Sequence, residues 1–381
     1  MESAFSTGYN SKIIIKLQTM MKVLFLVCSG ILQFSLAANR LRYFNYTEGE
    51  VNWNAAKQYC ADQGGYLLSL YDKEDEMMIY NFTNPIKKGF WSGLKKKDND
   101  TLFWSNGEAV KFNKSTVTIT DVNQLCEAFE NGSWIGSNCS EEKAFMCEND
   151  GNFILVDDVE KNWCQAMQHC RTHFANLASI MNEQQNEDLQ DKSQEKNVWI
   201  GLQHDNFEWA DKSCSTYKNL HRESKGECIS FDSNEEELTW NQLTCNSVKH
   251  IICYKGHVRI RVINEPKTWE GALNYCKARH SRLLWIEDEE DQRAVEQWLN
   301  VTSTGSLTRL WIGLRQSSVF GFWIWSDRIV DYKNWENGQQ PQMPFSNHCG
   351  VIDAETYKWR DENCKLKIPF LCEEDITFMK T

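Results

Sequence analysis

Apolar residues fall at helical spacing at three places in this 381-residue chain: Trp53, Ala56 and Cys60; Trp163, Ala166 and Cys170; Trp269, Ala272 and Cys276. Positions i, i+3 and i+7 lie along one face of an α-helix, so each triplet predicts an amphipathic helix. A second helix is expected after each Leu-rich turn, capped by Asp72, Asn182 and Asp288, with Asp75, Gln185 and Asp291 three positions on. Strand-like composition follows in W-[IS]-G-L segments at Trp91–Leu94, Trp199–Leu202 and Trp311–Leu314. It returns in W-x4-C-x7-C segments at Trp134–Cys139–Cys147, Trp240–Cys245–Cys253 and Trp359–Cys364–Cys372. All signatures recur in one order, so one domain of roughly 110 residues is used three times, over 39–148, 149–254 and 255–374. The period is too long for a solenoid, and each repeat is expected to carry its own core. The connectors Glu148–Asn152 and Tyr254–His257 are short, which places neighbouring repeats close together, and a tail at 375–381 is expected to hang free.

The compartment is read from the start of the chain. Met21–Ala37 has one Lys, an apolar run and then small residues, the form of a secretory signal, so 1–38 is expected to be a signal peptide with an upstream extension. That run is too short to span a bilayer, and no other stretch approaches twenty apolar residues. Of 15 cysteines, Cys28 leaves with the signal, and the even remainder predicts a disulfide framework. Glycosylation sequons stand at Asn45, Asn81, Asn99, Asn113, Asn131 and Asn300, with a weaker one at Asn138, whose middle residue is Cys139. The chain reads as a secreted, extracellular glycoprotein. Its formal net charge of −12 argues against nucleic acid or a broad anionic surface as partner.

W-x2-A-x3-C, then W-[IS]-G-L, then W-x4-C-x7-C resembles the C-type lectin-like domain, three times over. The resemblance implies an α+β fold of two helices and two small antiparallel sheets per domain, in an array similar to part of a macrophage mannose receptor-like ectodomain. It also implies pairing of first with last and inner with inner cysteines: Cys60–Cys147 and Cys126–Cys139, Cys170–Cys253 and Cys228–Cys245, Cys276–Cys372 and Cys349–Cys364. Cys164 and Cys214 remain. On one helix Cys164 and Cys170 would be about 9 Å apart along the axis, beyond the roughly 7 Å limit for bridged Cα atoms, so Cys164 is expected to pair with Cys214.

In sugar-binding members of this family a long loop supplies oxygen ligands to calcium, which holds sugar hydroxyls. Calcium takes six to eight oxygens, and its affinity rises with the number of charged ligands. The third repeat keeps the loop frame, Trp335, Gly338 and Pro341, with Gln340 and Gln342 beside the Pro, Asn347 before Cys349, and Arg360-Asp361 after Trp359. Of these candidate ligand-binding residues only Asp361 is a carboxylate, and Arg360 has no acceptor atom. Calcium is therefore expected to be weak or absent at Asp361. Trp240-Asn241-Gln242 and Trp134-Ile135-Gly136 offer less. His169 and His173 have zinc spacing but no third ligand at a telling distance; Lys87, Lys88, Lys95, Lys96 and Lys97 read as a solvated loop, and Glu235–Glu237 and Glu287–Asp291 as an exposed loop and a helix start. No hydrolase or zinc-protease motif is present. The expectation is a non-catalytic recognition protein for glycan or glycoprotein ligands without a cofactor, the alternative being a calcium-dependent lectin acting through the third repeat.

Overall fold

The computed structural model describes residues 40–98, 101–117, 125–220, 226–234, 237–302, 308–317, 319, 321–341 and 347–379. The signal region with Cys28, and Asn99 and Gln342, lie outside them. In chain order the first elements are β1 (Tyr43–Val51), α1 (Trp53–Asp62), β2 (Tyr66–Leu67), α2 (Lys73–Thr83) and β3 (Gly89–Lys96). Next come β4 (Leu125–Glu130), β5 (Ser133–Ser137), β6 (Lys143–Asn149), β7 (Asn152–Lys161), α3 (Trp163–His173), β8 (Asn176–Leu177), α4 (Glu183–Ser193) and β9 (Val198–His204). They are followed by β10 (Phe207–Trp209), β11 (Cys228–Ser233), β12 (Leu238–Leu243) and β13 (Lys249–Lys255). The last set is β14 (Val258–Lys267), α5 (Trp269–Arg279), β15 (Arg282–Leu283), α6 (Glu289–Thr302), β16 (Arg309–Gln316), β17 (Trp323–Trp325), β18 (His348–Asp353), β19 (Trp359–Asn363) and β20 (Ile368–Asp375).

The repeated tryptophans brace helix against strand. The indoles of Trp53, Trp163 and Trp269, each at a helix start, donate to Ser92 O, Ile200 O and Ile312 O at 2.7–2.9 Å. Trp91, Trp199 and Trp311 donate back to Val51 O, Lys161 O and Lys267 O. The glycine of each W-[IS]-G-L strand is needed for close approach: a Cβ on Gly93, Gly201 or Gly313 would lie about 3 Å from the carbonyls of Leu67, Leu177 or Leu283. Asp72, Asn182 and Asp288 accept from the N–H groups of Asp75, Gln185 and Asp291, as the capping pattern predicts. In each unit the two small sheets join along the W-[IS]-G-L strand. In the third unit the strand order is β14-β20-β16-β18-β19, with a register shift between Trp311 and Arg315 where the halves meet.

The third unit also shows what the fold demands, because its first strand, β14, pairs antiparallel with its last, β20. The first two repeats meet that demand by exchanging halves. Asp150 and Gly151, with φ of 49° and 79°, form a two-residue turn. Positive φ at both positions is the requirement of a type I′ hairpin, for which Asp-Gly is a favoured pair. The turn lays β6, the last strand of the first repeat, against β7, the first strand of the second, with Asn149 opposite Asn152 and Glu148 opposite Phe153. β1 then pairs with β13 instead. The chain leaves an outer unit after β3, builds an inner unit of sheet order β5-β4-β9-β6-β7, and returns to complete the outer sheet β1-β13-β3-β11-β12. Exit and re-entry lie side by side: Ser105 N donates to Gly201 O at 2.7 Å and Lys97 N to Asn206 O at 2.8 Å.

Three expectations are thereby corrected. Cys60 bridges Cys253 and Cys147 bridges Cys170, not Cys60–Cys147 and Cys170–Cys253, because each first-helix cysteine bonds the last strand that its own first strand pairs with. The repeats 39–148 and 149–254 are sequence units, whereas the folded bodies are an outer unit of two segments and an inner one. The outer and third units do not keep separate cores, since one buried apolar cluster runs from Phe44, Leu70 and Ile79 of the outer unit to Val295, Trp298 and Leu314 of the third, whereas the inner unit packs its own around Phe129 and Trp134. Cys126–Cys139, Cys228–Cys245, Cys164–Cys214, Cys276–Cys372 and Cys349–Cys364 complete the bridges, and Cys164–Cys214 now ties inner unit to outer. The tail is pinned through residue 379: Ser213 bridges Phe378, and Cys214 N donates to Thr377 O at 2.8 Å.

Outer and third units grip one another reciprocally. Arg40 reaches Asp291 at 2.8 Å and Glu373 at 2.9 Å, while Arg259 reaches Asp75 at 3.1 Å. Phe44 exchanges both backbone hydrogen bonds with the Gln297 amide.

Candidate functional site

The third unit's long loop is hung on aromatic rings. Trp335 is buried, with ring contacts to Trp323 at 4.8 Å and Trp359 at 6.0 Å, and Glu336 N donates to Trp359 O at 3.0 Å. Gly338, at φ 71°, closes the turn by donating to Trp335 O, and the Trp323 indole donates to Pro341 O at 3.3 Å. This frame leaves Gln340 exposed beside Pro341. Asn347 is also exposed, and its carbonyl accepts from Cys364 N.

The charged candidates are already engaged. Asp361 Oδ2 meets His348 Nδ1 at 2.5 Å across the β18–β19 pair. Arg360 reaches Glu336 Oε1 at 2.6 Å and lies 3.4 Å from Asp353. Arg360 and Asp361 alternate along β19 and so project to opposite faces of the sheet, one to Glu336 and the other to His348. Sequence reasoning missed both partners. Glu336 was visible beside Trp335, but pairing His348 with Asp361 needs the strand register. This donor set fits calcium poorly, since each carboxylate in reach is balanced by a neighbour. Among the described residues no group of three or more His, Cys, Asp or Glu side chains is placed to hold a metal ion.

The remaining candidates are placed as follows. Asn241 donates to Asp232, which also pairs with Lys249 at 2.9 Å. His169 and His173 stack on α3 at 4.5 Å beside Phe145, and burial, then the charge of His173, lowers the pKa of His169. Lys95 pairs with Asp98 at 2.9 Å where the chain crosses to the inner unit, with Lys96 and Lys97 exposed next to it. The sequon residues Asn45, Asn81, Asn113, Asn131 and Asn300 are exposed. The exchange puts Asn45 and Asn81 on the outer unit and Asn113 and Asn131 on the inner, and Asn81 Nδ2 also donates to Val301 O at 2.8 Å.

One further cluster has the residue types of a hydrolase. Ser115, Glu127 and His204 meet in the inner unit, with His204 Nε2 at 2.6 Å from Glu127 and 3.4 Å from Ser115. Both partners converge on the same ring nitrogen, and among the described residues the buried Nδ1 has no partner. A nucleophile–base–acid relay needs the two nitrogens to face different partners, and this cluster does not have that geometry.

A family model described as the lectin C-type domain matches residues 49–149, 159–255 and 265–374, most of the chain. The chain belongs to the C-type lectin domain family. Among its relatives, the Bos taurus secretory phospholipase A2 receptor is 23% identical over 411 residues, covering 86% of this chain and 28% of that one. The Homo sapiens C-type mannose receptor 2 is 28% identical over 165 residues, covering 42% of this chain and 10% of that receptor. The chain thus spans 28% of the one receptor's length and 10% of the other's. Solved structures that it resembles are human lithostathine, at 25% identity and TM-score 0.28 over 30% of this chain and 82% of that one, and a calcium-independent type II antifreeze protein, at 23% identity and TM-score 0.28 over 32% and 88%. Among the described residues no helix is long and apolar enough to cross a membrane.

Proposed function

We propose that this chain is a non-catalytic extracellular recognition protein that binds glycans or glycoproteins through its C-type lectin-like units without calcium. The observation that carries the calcium-free reading is the engagement of Asp361 by His348 and of Glu336 by Arg360. A calcium ion at this loop would have to displace both pairings and still gather most of its oxygens from neutral amides. Seven disulfides and exposed sequons favour an extracellular setting, where such bridges persist. The relatives are named as receptors of mannose-type and phospholipase-type ligands, which favours recognition over catalysis here. A glycan array run with and without a calcium chelator tests the reading. Binding that survives chelation is expected. Binding lost on chelation would replace this reading with the second one, a calcium-dependent lectin whose site is the loop framed by Trp335, Gly338 and Pro341.

A further inference from the structure

A cavity of about 450 Å³ opens where the three folded units meet. One wall is α3 of the inner unit, where Gln165, Gln168 and Thr172 follow helical spacing. Arg259, Arg261 and Arg279 of the third unit form the opposite wall, and Tyr71 and Asp72 come from the outer unit. The bridge Cys164–Cys214 lies in the lining, and the tail segment Ile376–Thr377 closes one side. No single repeat could form this space, since each contributes one face of it.

Its lining gathers cations and carboxylates, and not all of the cations are paired. Lys161, Arg259, Arg261 and Arg279 face Asp72, Glu374 and Asp375, four cations against three carboxylates, in a chain of net charge −12. Arg259 is taken by Glu374, Asp72 and Asp75, and Arg261 by Asp72 with Glu74 at 3.3 Å. These arginines hold Glu374 at about 2 and Asp72 well below the usual carboxylate range, against the burial that would raise both, so the charges persist at neutral pH. Asp375 accepts from Ser281 Oγ at 2.6 Å. Among the described residues Lys161 and Arg279 meet no carboxylate, and Arg279 only lies over the Tyr275 ring. Lys161 and Arg279 are therefore the two cations of the lining left without a carboxylate partner among the described residues, beside His169 and His280.

The rest of the lining decides what kind of anion fits. It is rich in amides and hydroxyls and offers no free aromatic face, because Arg42 and Arg259 already cover the Tyr71 ring at 4.9 Å. A nucleobase would find no free tyrosine face to stack on. Vicinal hydroxyls would find Gln165, Gln168 and Thr172. We propose that this three-unit junction binds a small saccharide bearing a single acidic group, with Lys161 and Arg279 holding the acid and the α3 amides holding the hydroxyls. The three lining carboxylates would repel a polyanion, so a single charge is selected. The site is separate from the long loop of the third unit and does not depend on how that loop binds.

The test is calorimetric titration of the full chain with 3′-sialyllactose, 3′-sulfated lactose and neutral lactose. Binding of either acidic sugar with no detectable binding of lactose is expected, and their ratio distinguishes a carboxylate from a sulfate. Lys161→Ala/Arg279→Ala removes one half-buried and one exposed side chain with no ion pair to lose among the described residues, and should weaken acidic-sugar binding about tenfold or more. Cys164→Ser/Cys214→Ser, which unties the inner unit from the outer, should weaken it as well. Arg360→Ala/Asp361→Ala in the long loop should leave it unchanged. The inference is overturned if neither acidic sugar binds, if lactose binds equally, or if the long-loop variant abolishes binding while the Lys161/Arg279 variant does not.

Discussion

Serine substitution at Cys60 and Cys253 distinguishes the exchanged architecture from the one that the repeats imply. In the exchanged fold these two are partners, and their joint removal leaves no orphan thiol. In a linear array it would strand Cys147 and Cys170 in different domains. Chain entropy does not choose between the two arrangements. The observed bridges close 193 and 23 residues, stabilising by about 5.3 and 3.4 kcal/mol in the loop-closure model. The linear pairing would close 147 − 60 = 87 and 253 − 170 = 83 residues, about 4.6 kcal/mol each, and the totals agree within about half a kcal/mol. The individual values do differ. Removing Cys60–Cys253 should cost about 2 kcal/mol more than removing Cys147–Cys170, whereas the linear array predicts equal losses. Alkylation under non-reducing denaturing conditions, followed by peptide mass mapping, reads the thiols, and denaturant unfolding reads the stabilities. Cys60→Ser/Cys253→Ser should label nowhere, and Cys60→Ser/Cys147→Ser should label at Cys170 and Cys253. The opposite pattern, with equal stability losses, refutes the exchange.

Lengthening the Asp150-Gly151 turn by about ten flexible residues should release β6 from β7 at little entropic cost and let a Cys60–Cys147 species appear in the same map; persistence of Cys147–Cys170 alone would mean that packing, not the turn, drives the exchange. Burial lifts Glu373 to about 7 even beside Arg40, so the folded state holds a proton that the unfolded chain has lost between pH 4.5 and 7. Stability should therefore fall as pH rises through that window, by up to about 3 kcal/mol, and Glu373→Gln should flatten the fall; an unchanged pH profile in that variant would remove Glu373 as the cause. Calorimetry of the full chain with calcium should show millimolar affinity at best, little change in Asp361→Ala, and tighter binding in Arg360→Asn; micromolar binding abolished by Asp361→Ala would restore the calcium-dependent reading.

The repeated W-x2-A-x3-C, W-[IS]-G-L and W-x4-C-x7-C segments determined the fold of each unit, because their constraints are local. A tryptophan at a helix start reaches the neighbouring strand wherever that helix and strand occur together, and the caps at Asp72, Asn182 and Asp288 act within one turn. The family resemblance rested on the same short spacings, and the inner bridges were what that resemblance implied. Which copy completes which was a different matter. β6 and β13 are equivalent strands with equivalent cysteines, so either can close on β1, and neither composition nor spacing ranks them. The signal that does rank them is two residues long: Asp150-Gly151 reads as a hairpin turn, and a hairpin forces consecutive strands together. The candidate site divided in the same way. The Trp335, Gly338 and Pro341 frame and the weak ligand set were visible along the chain, and Arg360 could be recognised as out of place. The His348–Asp361 pair depends on strand register, the Arg40–Asp291 and Arg259–Asp75 grips join residues more than 180 positions apart, and the cavity between the units exists only once three surfaces meet. Contacts across such separations are set by how whole units pack, which no local pattern encodes.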